Sequence, residues 1–226
     1  MKDRYSRQIS LDEISPGGQA KLAEARVLVV GAGGLGSPVL IYLAAAGTGH
    51  IGIADDDRVS LSNLQRQILY TENDIGKTKV SVAAERLSAM NGDLDIKAVP
   101  SRINKENIHS ILNGYDVVID CCDNHTTRVL TEEHCHNIGI PYIYGAIQGF
   151  EGQVTIFSDK TPRYGELFPT ELENASNAVI GMTAGIVGCT QAHEAVKLIC
   201  GYGEPLINKL WTIDIRSMQS HIIELL

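Results

Sequence analysis

The chain has 226 residues, of which 44% are hydrophobic, 5% aromatic and 20% charged. That supplies one domain with a sizeable core and too little chain for several. The net charge of −8 argues against a broad nucleic-acid surface or an anionic-membrane surface, and leaves room only for a local basic pocket.

In chain order, residues 4–25 read as a helical lead-in with a break at Pro16-Gly17-Gly18. Arg26 to Val30 is a short apolar run ending in glycine, the pattern of a buried parallel strand. Ser37 to Ala46 predicts a helix that tolerates Pro38 in its first turn, and His50 to Asp55 a second strand. Lys77 to Met90 then reads as a helix, Asp95 to Val99 as a strand, Lys105 to Leu112 as a helix and Asp116 to Asp120 as a strand. A helix through about residue 138 and a fifth strand at Pro141 to Gly145 complete the series. Strands alternating with helices predict an α/β fold with a doubly wound, Rossmann-like, mostly parallel sheet.

After Ala146 the rhythm changes. Gly152 to Ser158, Leu210 to Ile215 and His221 to Leu225 alternate apolar and polar residues, which predicts antiparallel strands extending the sheet. A polar, irregular segment, Asp159 to Asn177, and a glycine-bearing helix, Thr183 to Ile199, lie between them. The expectation is one domain over 1–226, with a nucleotide-binding half at 1–146 and an antiparallel extension at 147–226.

Five cysteines, Cys121, Cys122, Cys135, Cys189 and Cys200, include no Cys-x-x-Cys pair, which fits reduced thiols in a reducing compartment. The charged N-terminus lacks the apolar core of a signal peptide. The run Val39 to Ala46 is far short of the roughly 20 residues that cross a bilayer. A cytoplasmic protein without membrane or nucleic-acid partners is expected.

Gly31, Gly33 and Gly36 give the Gly-x-Gly-x-x-Gly spacing between the first strand and its helix. One glycine serves the tight turn, one the close approach of phosphate and one the helix–strand packing, and the helix N-terminus offers amides to an anion. Asp55 ends the next strand, where a ribose hydroxyl acceptor belongs. Beyond it, Asn63 and Arg66 fall three apart, on one helical face. Lys79, near the start of the next helix, supplies a second cation. Asp123 and Asn124 follow the fourth strand, at the carboxyl end where open α/β sheets bind ligands. A carboxylate there suits Mg²⁺. Two cations, a hard-metal ligand and a phosphate loop suit displacement at phosphorus better than hydride transfer. An NAD-dependent oxidoreductase would leave Arg66, Lys79 and Asp123 without a role.

Gly31-Ala-Gly-Gly-Leu-Gly36, Asp55-Asp56-Asp57, Ser62-Asn-Leu-Gln-Arg-Gln67, Lys79 and Cys122-Asp-Asn124 together resemble the ThiF/MoeB/HesA family, bacterial relatives of ubiquitin-activating enzymes. Arg4-Tyr-Ser-Arg-Gln-Ile9 and Gly188 to Leu198 strengthen the resemblance, and the wording is nearest the thiamine branch. The resemblance implies an adenylyltransferase that uses ATP and Mg²⁺ to activate the C-terminal Gly-Gly carboxylate of a small ubiquitin-like sulfur carrier. It implies a nucleotide site of Gly31, Gly33, Gly34, Gly36, Asp55, Asp57, Ser62, Asn63, Gln65, Arg66, Lys79, Asp123 and Asn124. Arg66, Lys79 and Asp123 (the Mg²⁺ ligand) would act in catalysis, with Arg7 offered by the neighbouring subunit of a homodimer. A sulfurtransferase is a further expected partner, and a mobile segment is expected to cross over the active site.

The chain departs from the family at two places. Many members bind a structural zinc with two Cys-x-x-Cys pairs; here Arg163 and Glu166 stand at the first pair's positions, and the chain ends at Leu226 before the second. No zinc is expected. The family's loop cysteine has no counterpart near Glu173 to Asn177, so a covalent thiol step on that loop is not expected. Cys189, Cys200, His134, His136 and His193 read as packing or surface residues. Alternatives are a family member activating another acyl group, as in the threonylcarbamoyl-tRNA dehydratases, and a non-catalytic partner subunit.

Overall fold

The computed structural model describes residues 3–169 and 178–225. Among them eight strands form one sheet in the order β3-β2-β1-β4-β5-β6-β7-β8. The strands are β1 Arg26–Val30, β2 His50–Ala54, β3 Asp95–Val99, β4 Val117–Asp120, β5 Tyr142–Gln148, β6 Glu151–Phe157, β7 Lys209–Asp214 and β8 Gln219–Glu224. The first five pair in parallel, and β6, β7 and β8 join antiparallel. The helices are α1 Ser6–Ile9, α2 Ser15–Glu24, α3 Gly36–Ala46, α4 Lys79–Met90, α5 Ile108–Leu112, α6 His125–Ile138, α7 Tyr164–Leu167 and α8 Gly181–Cys200. Both the doubly wound sheet and its antiparallel extension agree with the sequence pattern.

Strand β1 shows why the apolar runs read as central strands. Val27 and Val29 enter a core shared with α3, α4 and α8, while Leu28 and Val30 enter the opposite core with α5 and α6. Burial on both faces removes the polar alternation that an open sheet would show. Helix α8 lies against α3 through Gly188, where an added Cβ would stand 2.6 Å from the carbonyl oxygen of Leu35.

The structure corrects several boundaries. The break in the lead-in falls before Pro16, not at it: Pro16 occupies the first turn of α2, where its missing N–H costs no helical hydrogen bond. Strand β5 runs on to Gln148 and turns directly into β6 through Gly149, whose φ of +59° permits the tight hairpin. Within the irregular segment after β6, α7 buries Tyr164 among the aromatic rings of Tyr144, Phe157 and Phe168. The stretch Glu173 to Asn177, with the expected crossing of the site, lies outside the described residues. No helix among the described residues is long and apolar enough to cross a membrane.

Candidate active site

The glycine loop does its work with different glycines in different ways. Gly31 adopts φ +96°, and a Cβ there would lie 2.5 Å from the carbonyl oxygen of Cys121. At Gly36 a Cβ would lie 2.2 Å from the oxygen of Gly31. These two are demanded by the fold. Gly33 and Gly34 are not: added Cβ atoms would meet only side chains, at 3.4 Å from Gln67 Nε2 and 3.4 Å from Arg66 Cγ. Both, with Gly31, line a cleft of about 1320 Å³ at the carboxyl ends of the parallel strands, whereas Gly36 does not line it.

The loop is held from both sides. The Ala32 amide donates to Asp55 Oδ2 at 2.7 Å, and the Tyr70 hydroxyl donates to the Ala32 carbonyl at 2.7 Å. Burial, reinforced by the charge of Asp55, pushes the Tyr70 phenol well up, so it stays a donor. Asp55 Oδ1 also accepts from the Asp57 amide at 2.7 Å. The carboxylate at the end of β2 is therefore fixed while it lines the cleft.

Asn63 and Arg66 both reach the cleft, but not from one helical face. Residues Leu61–Asn63 form a single 3₁₀ turn, closed by the Ser60 amide donating to Asn63 Oδ1 at 3.1 Å. Arg66 follows in the next turn, its Nη1 donating to the Ser62 carbonyl at 3.2 Å. It has no carboxylate partner among the described residues. Ser62 and Gln65, expected at the nucleotide, do not line the cleft: Ser62 Oγ meets Ser60 Oγ at 3.1 Å, and Gln65 Nε2 reaches the Val179 carbonyl at 3.5 Å. Residues of alternate direction in a tight turn cannot all face one ligand. Lys79 is buried at 4% exposure and its Nζ sits 2.8 Å from Oδ2 of the exposed Asp57; both line the cleft.

The β4–α6 connection supplies the other wall. Asn124 is the N-cap of α6, its Oδ1 accepting from the Thr127 amide at 2.9 Å. Asp123 is exposed in the cleft and its carboxylate makes no hydrogen bond or ion pair among the described residues. No three His, Cys, Asp or Glu side chains converge as a metal centre among the described residues. Asp123 thus suits a cation that takes most of its ligands from nucleotide oxygens and water, which is the habit of Mg²⁺. Burial, with Asp120 nearby, pushes the thiols of Cys121 and Cys122 well up, which makes them poor nucleophiles.

Sequence reasoning missed Gln67, Arg102, Arg128 and Tyr144, all of which line the cleft. Arg128 had a signal, since it falls four residues after Asn124 on the same helical face. Arg7, on α1, does not line the cleft of its own chain. At the first zinc position, Arg163 Nε pairs with the buried Glu132 at 3.0 Å, and Glu166 accepts from the Arg163 amide at 2.9 Å. A guanidinium cannot ligate a cation, so a four-ligand zinc site does not fit these residues.

Residues 5–225 match the ThiF family. The chain is a member of the ThiF family. This ThiF-family chain is 44% identical over 222 residues to the SAMP-activating enzyme E1 of Haloferax volcanii, covering 96% of the chain and 82% of that protein. It is 43% identical over 224 residues to a sulfur carrier protein adenylyltransferase of Thermus thermophilus, covering 94% and 83%. The adenylyltransferase and sulfurtransferase MOCS3 of Arabidopsis thaliana is 38% identical over 229 residues, and there the chain spans 49% of the relative's length. The Thermus name speaks of a sulfur carrier, and none of the three names thiamine. A structure of E. coli MccB with ATP superposes with a TM-score of 0.86 at 25% identity, covering 100% of this chain and 72% of that one.

Proposed function

We propose that this ThiF-family chain is an adenylyltransferase that uses ATP and Mg²⁺ to activate the C-terminal Gly-Gly carboxylate of a small ubiquitin-like sulfur carrier, releasing pyrophosphate. The observation that carries this reading is the convergence of Gly33, Gly34, Asn63, Arg66, Lys79 and Asp123 on one cleft. The relatives named for carrier activation support it.

In this reading the amides of Gly33 and Gly34 and the N-terminus of α3 cradle phosphate, and Asp55, fixed by two amides, receives the ribose. The carrier carboxylate attacks the α-phosphorus. It needs no general base, being ionised near neutral pH. Arg66, Lys79 and Asn63 spread the charge that moves onto the leaving pyrophosphate. Asp123 would hold Mg²⁺, which would supply charge neutralisation at the phosphates. The cleft continues beyond the nucleotide half past Gln148, Glu151, Gln153, Thr212 and Asp214, a floor for an extended carrier tail on β6 and β7. The chain acts as one adenylation domain over 1–226, its nucleotide half at 1–146 and its tail-receiving half at 147–226. It works as a cytoplasmic homodimer in which Arg7 of the partner subunit completes the site, and a sulfurtransferase takes the activated carrier onward. The buried Cys121 and half-buried Cys122 take no covalent part.

The test is carrier-dependent ATP–pyrophosphate exchange. Exchange with a Gly-Gly-ended carrier supports the reading. No exchange with any such carrier, while ATP binding persists, overturns it.

A further inference from the structure

One arginine in the cleft is committed before any ligand arrives. Arg128, in the first turns of α6, places Nε 3.0 Å from Oδ2 of Asp120, a carboxylate with no exposed surface. Through Nη2 it also donates to the carbonyl of Cys122 at 2.5 Å and of Gly145 at 3.1 Å, and its Cζ lies 5.0 Å from the centre of the Tyr144 ring. Cys122 directly precedes Asp123, and its amide donates to Asp120 Oδ1 at 3.0 Å. The residue leading into Asp123 is therefore gripped at its carbonyl by the cation and at its amide by the anion of one buried pair. On the other side, Asn124 is pinned by capping Thr127. Of residues 122–124, Asp123 alone has a side chain with no hydrogen bond or ion pair among the described residues.

The geometry points to Arg128 as the positioning residue that aims the Asp123 carboxylate at the metal–nucleotide site. The inference rests on the reading that Asp123 holds Mg²⁺. Arg128 does not oppose phosphate charge itself, because Asp120 neutralises it. Lysine could keep the ion pair, but a point charge at that position cannot also hold both carbonyls, which Arg128 serves from Nη2 of a fixed planar group. Partners that orient a metal ligand are worth about ten- to a hundredfold in metal affinity.

The experiment titrates Mn²⁺, in place of Mg²⁺, into the full chain with ATP and no carrier, followed by electron paramagnetic resonance. Arg128→Lys is expected to hold its Tm within about 3 °C while Mn²⁺ binding weakens by about tenfold or more. The double variant Asp120→Asn/Arg128→Gln removes both buried charges and should lose the same metal affinity, which separates loss of the fork from an orphaned carboxylate. Asp123→Asn should remove the nucleotide-dependent Mn²⁺ site. If Asp123→Asn loses the site but both Arg128 variants bind Mn²⁺ like the parent, the positioning role is refuted and the Asp123 reading stands. If Asp123→Asn binds Mn²⁺ normally, the Asp123 reading falls and this inference falls with it.

Discussion

Gly34→Ala and Gly36→Ala separate a ligand contact from a fold contact two residues apart. At Gly34 a new methyl would sit 3.4 Å from Arg66 Cγ and 3.5 Å from Ala184 Cβ, ordinary or slightly tight contacts with side chains. Its backbone is not in the left-handed region. Alanine also narrows the unfolded ensemble, which favours folding by about 0.4–1 kcal/mol, so Tm should hold or rise slightly. The same methyl projects into the proposed phosphate cradle. Displacing one charge-assisted amide contact costs about 1.5–3 kcal/mol, so ATP should bind roughly ten- to a hundredfold more weakly. At Gly36 the methyl would stand 2.2 Å from the Gly31 oxygen, a backbone atom that cannot swing aside. Forced backbone shifts of this kind cost about 1–3 kcal/mol, which at roughly 2–4 °C per kcal/mol in a chain of this size lowers Tm by about 2–12 °C. Differential scanning fluorimetry and isothermal calorimetry with ATP read the two effects separately. Normal ATP affinity in Gly34→Ala, or an unchanged Tm in Gly36→Ala, would refute the division of labour.

Arg66→Ala should lower carrier-dependent pyrophosphate exchange about a hundredfold or more with Tm unchanged, because the arginine has no carboxylate partner among the described residues to orphan; a loss that merely follows Tm would argue against a charge-stabilising role. Asp74 is buried and accepts from the Thr71 amide at 2.9 Å and Thr71 Oγ1 at 2.8 Å, with Lys77 and Arg86 beside it. Burial works to raise its pKa, but these partners outweigh it and hold the carboxyl below the usual range. Its contribution is therefore full above the unfolded value of about 4 and is lost as pH falls through the lower folded value. The Tm deficit of Asp74→Asn should be constant above about pH 5 and close on acidification, and a deficit unchanged at about pH 3 would contradict this. Arg163→Ala leaves Glu132 buried without its cation and should cost about 3 kcal/mol at neutral pH; Glu132→Gln/Arg163→Gln should recover most of that by chemical denaturation, and failure to recover would mean the pair matters for more than charge.

The parts of this molecule that could be read in advance are those where one residue type answers one local demand. Val27 to Val30 are apolar in succession because both faces of β1 are covered, and Gly31 and Gly36 are glycine because a carbonyl oxygen lies where each Cβ would be. The place of Asp123 in the cleft was legible because it follows the carboxyl end of a parallel strand, where open α/β sheets form their crevice. What could not be read depends on partners distant in sequence. The helical periodicity assigned to Asn63 and Arg66 failed because Asn63 turns back to its own segment to close Ser60. Ser62 and Gln65 belong to the same motif yet face other neighbours. Arg128 was missed because its role depends on Asp120 and two carbonyls that the fold places around it.

The charges of the cleft explain why the proposed reaction calls for a metal that arrives with the nucleotide. Lys79 is matched by Asp57 and Arg128 by Asp120, so neither contributes an uncompensated positive charge to the empty site. Asp55, Asp56, Asp123, Glu151 and Asp214 add negative charge to its walls. Arg66 and the exposed Arg102 remain as cations without a carboxylate partner among the described residues. A triphosphate brings more negative charge than these two offset, and a buried anion left unmatched is costly. A divalent cation on the phosphates would close the gap, and Asp123, the cleft carboxylate just past β4 with no partner among the described residues, is where that cation could be held. The same accounting ranks the basic residues: removing Arg66 leaves Arg102 as the one cleft arginine without a carboxylate partner among the described residues, whereas removing Lys79 also frees Asp57, so its loss would be felt through an added negative charge as well as a missing donor.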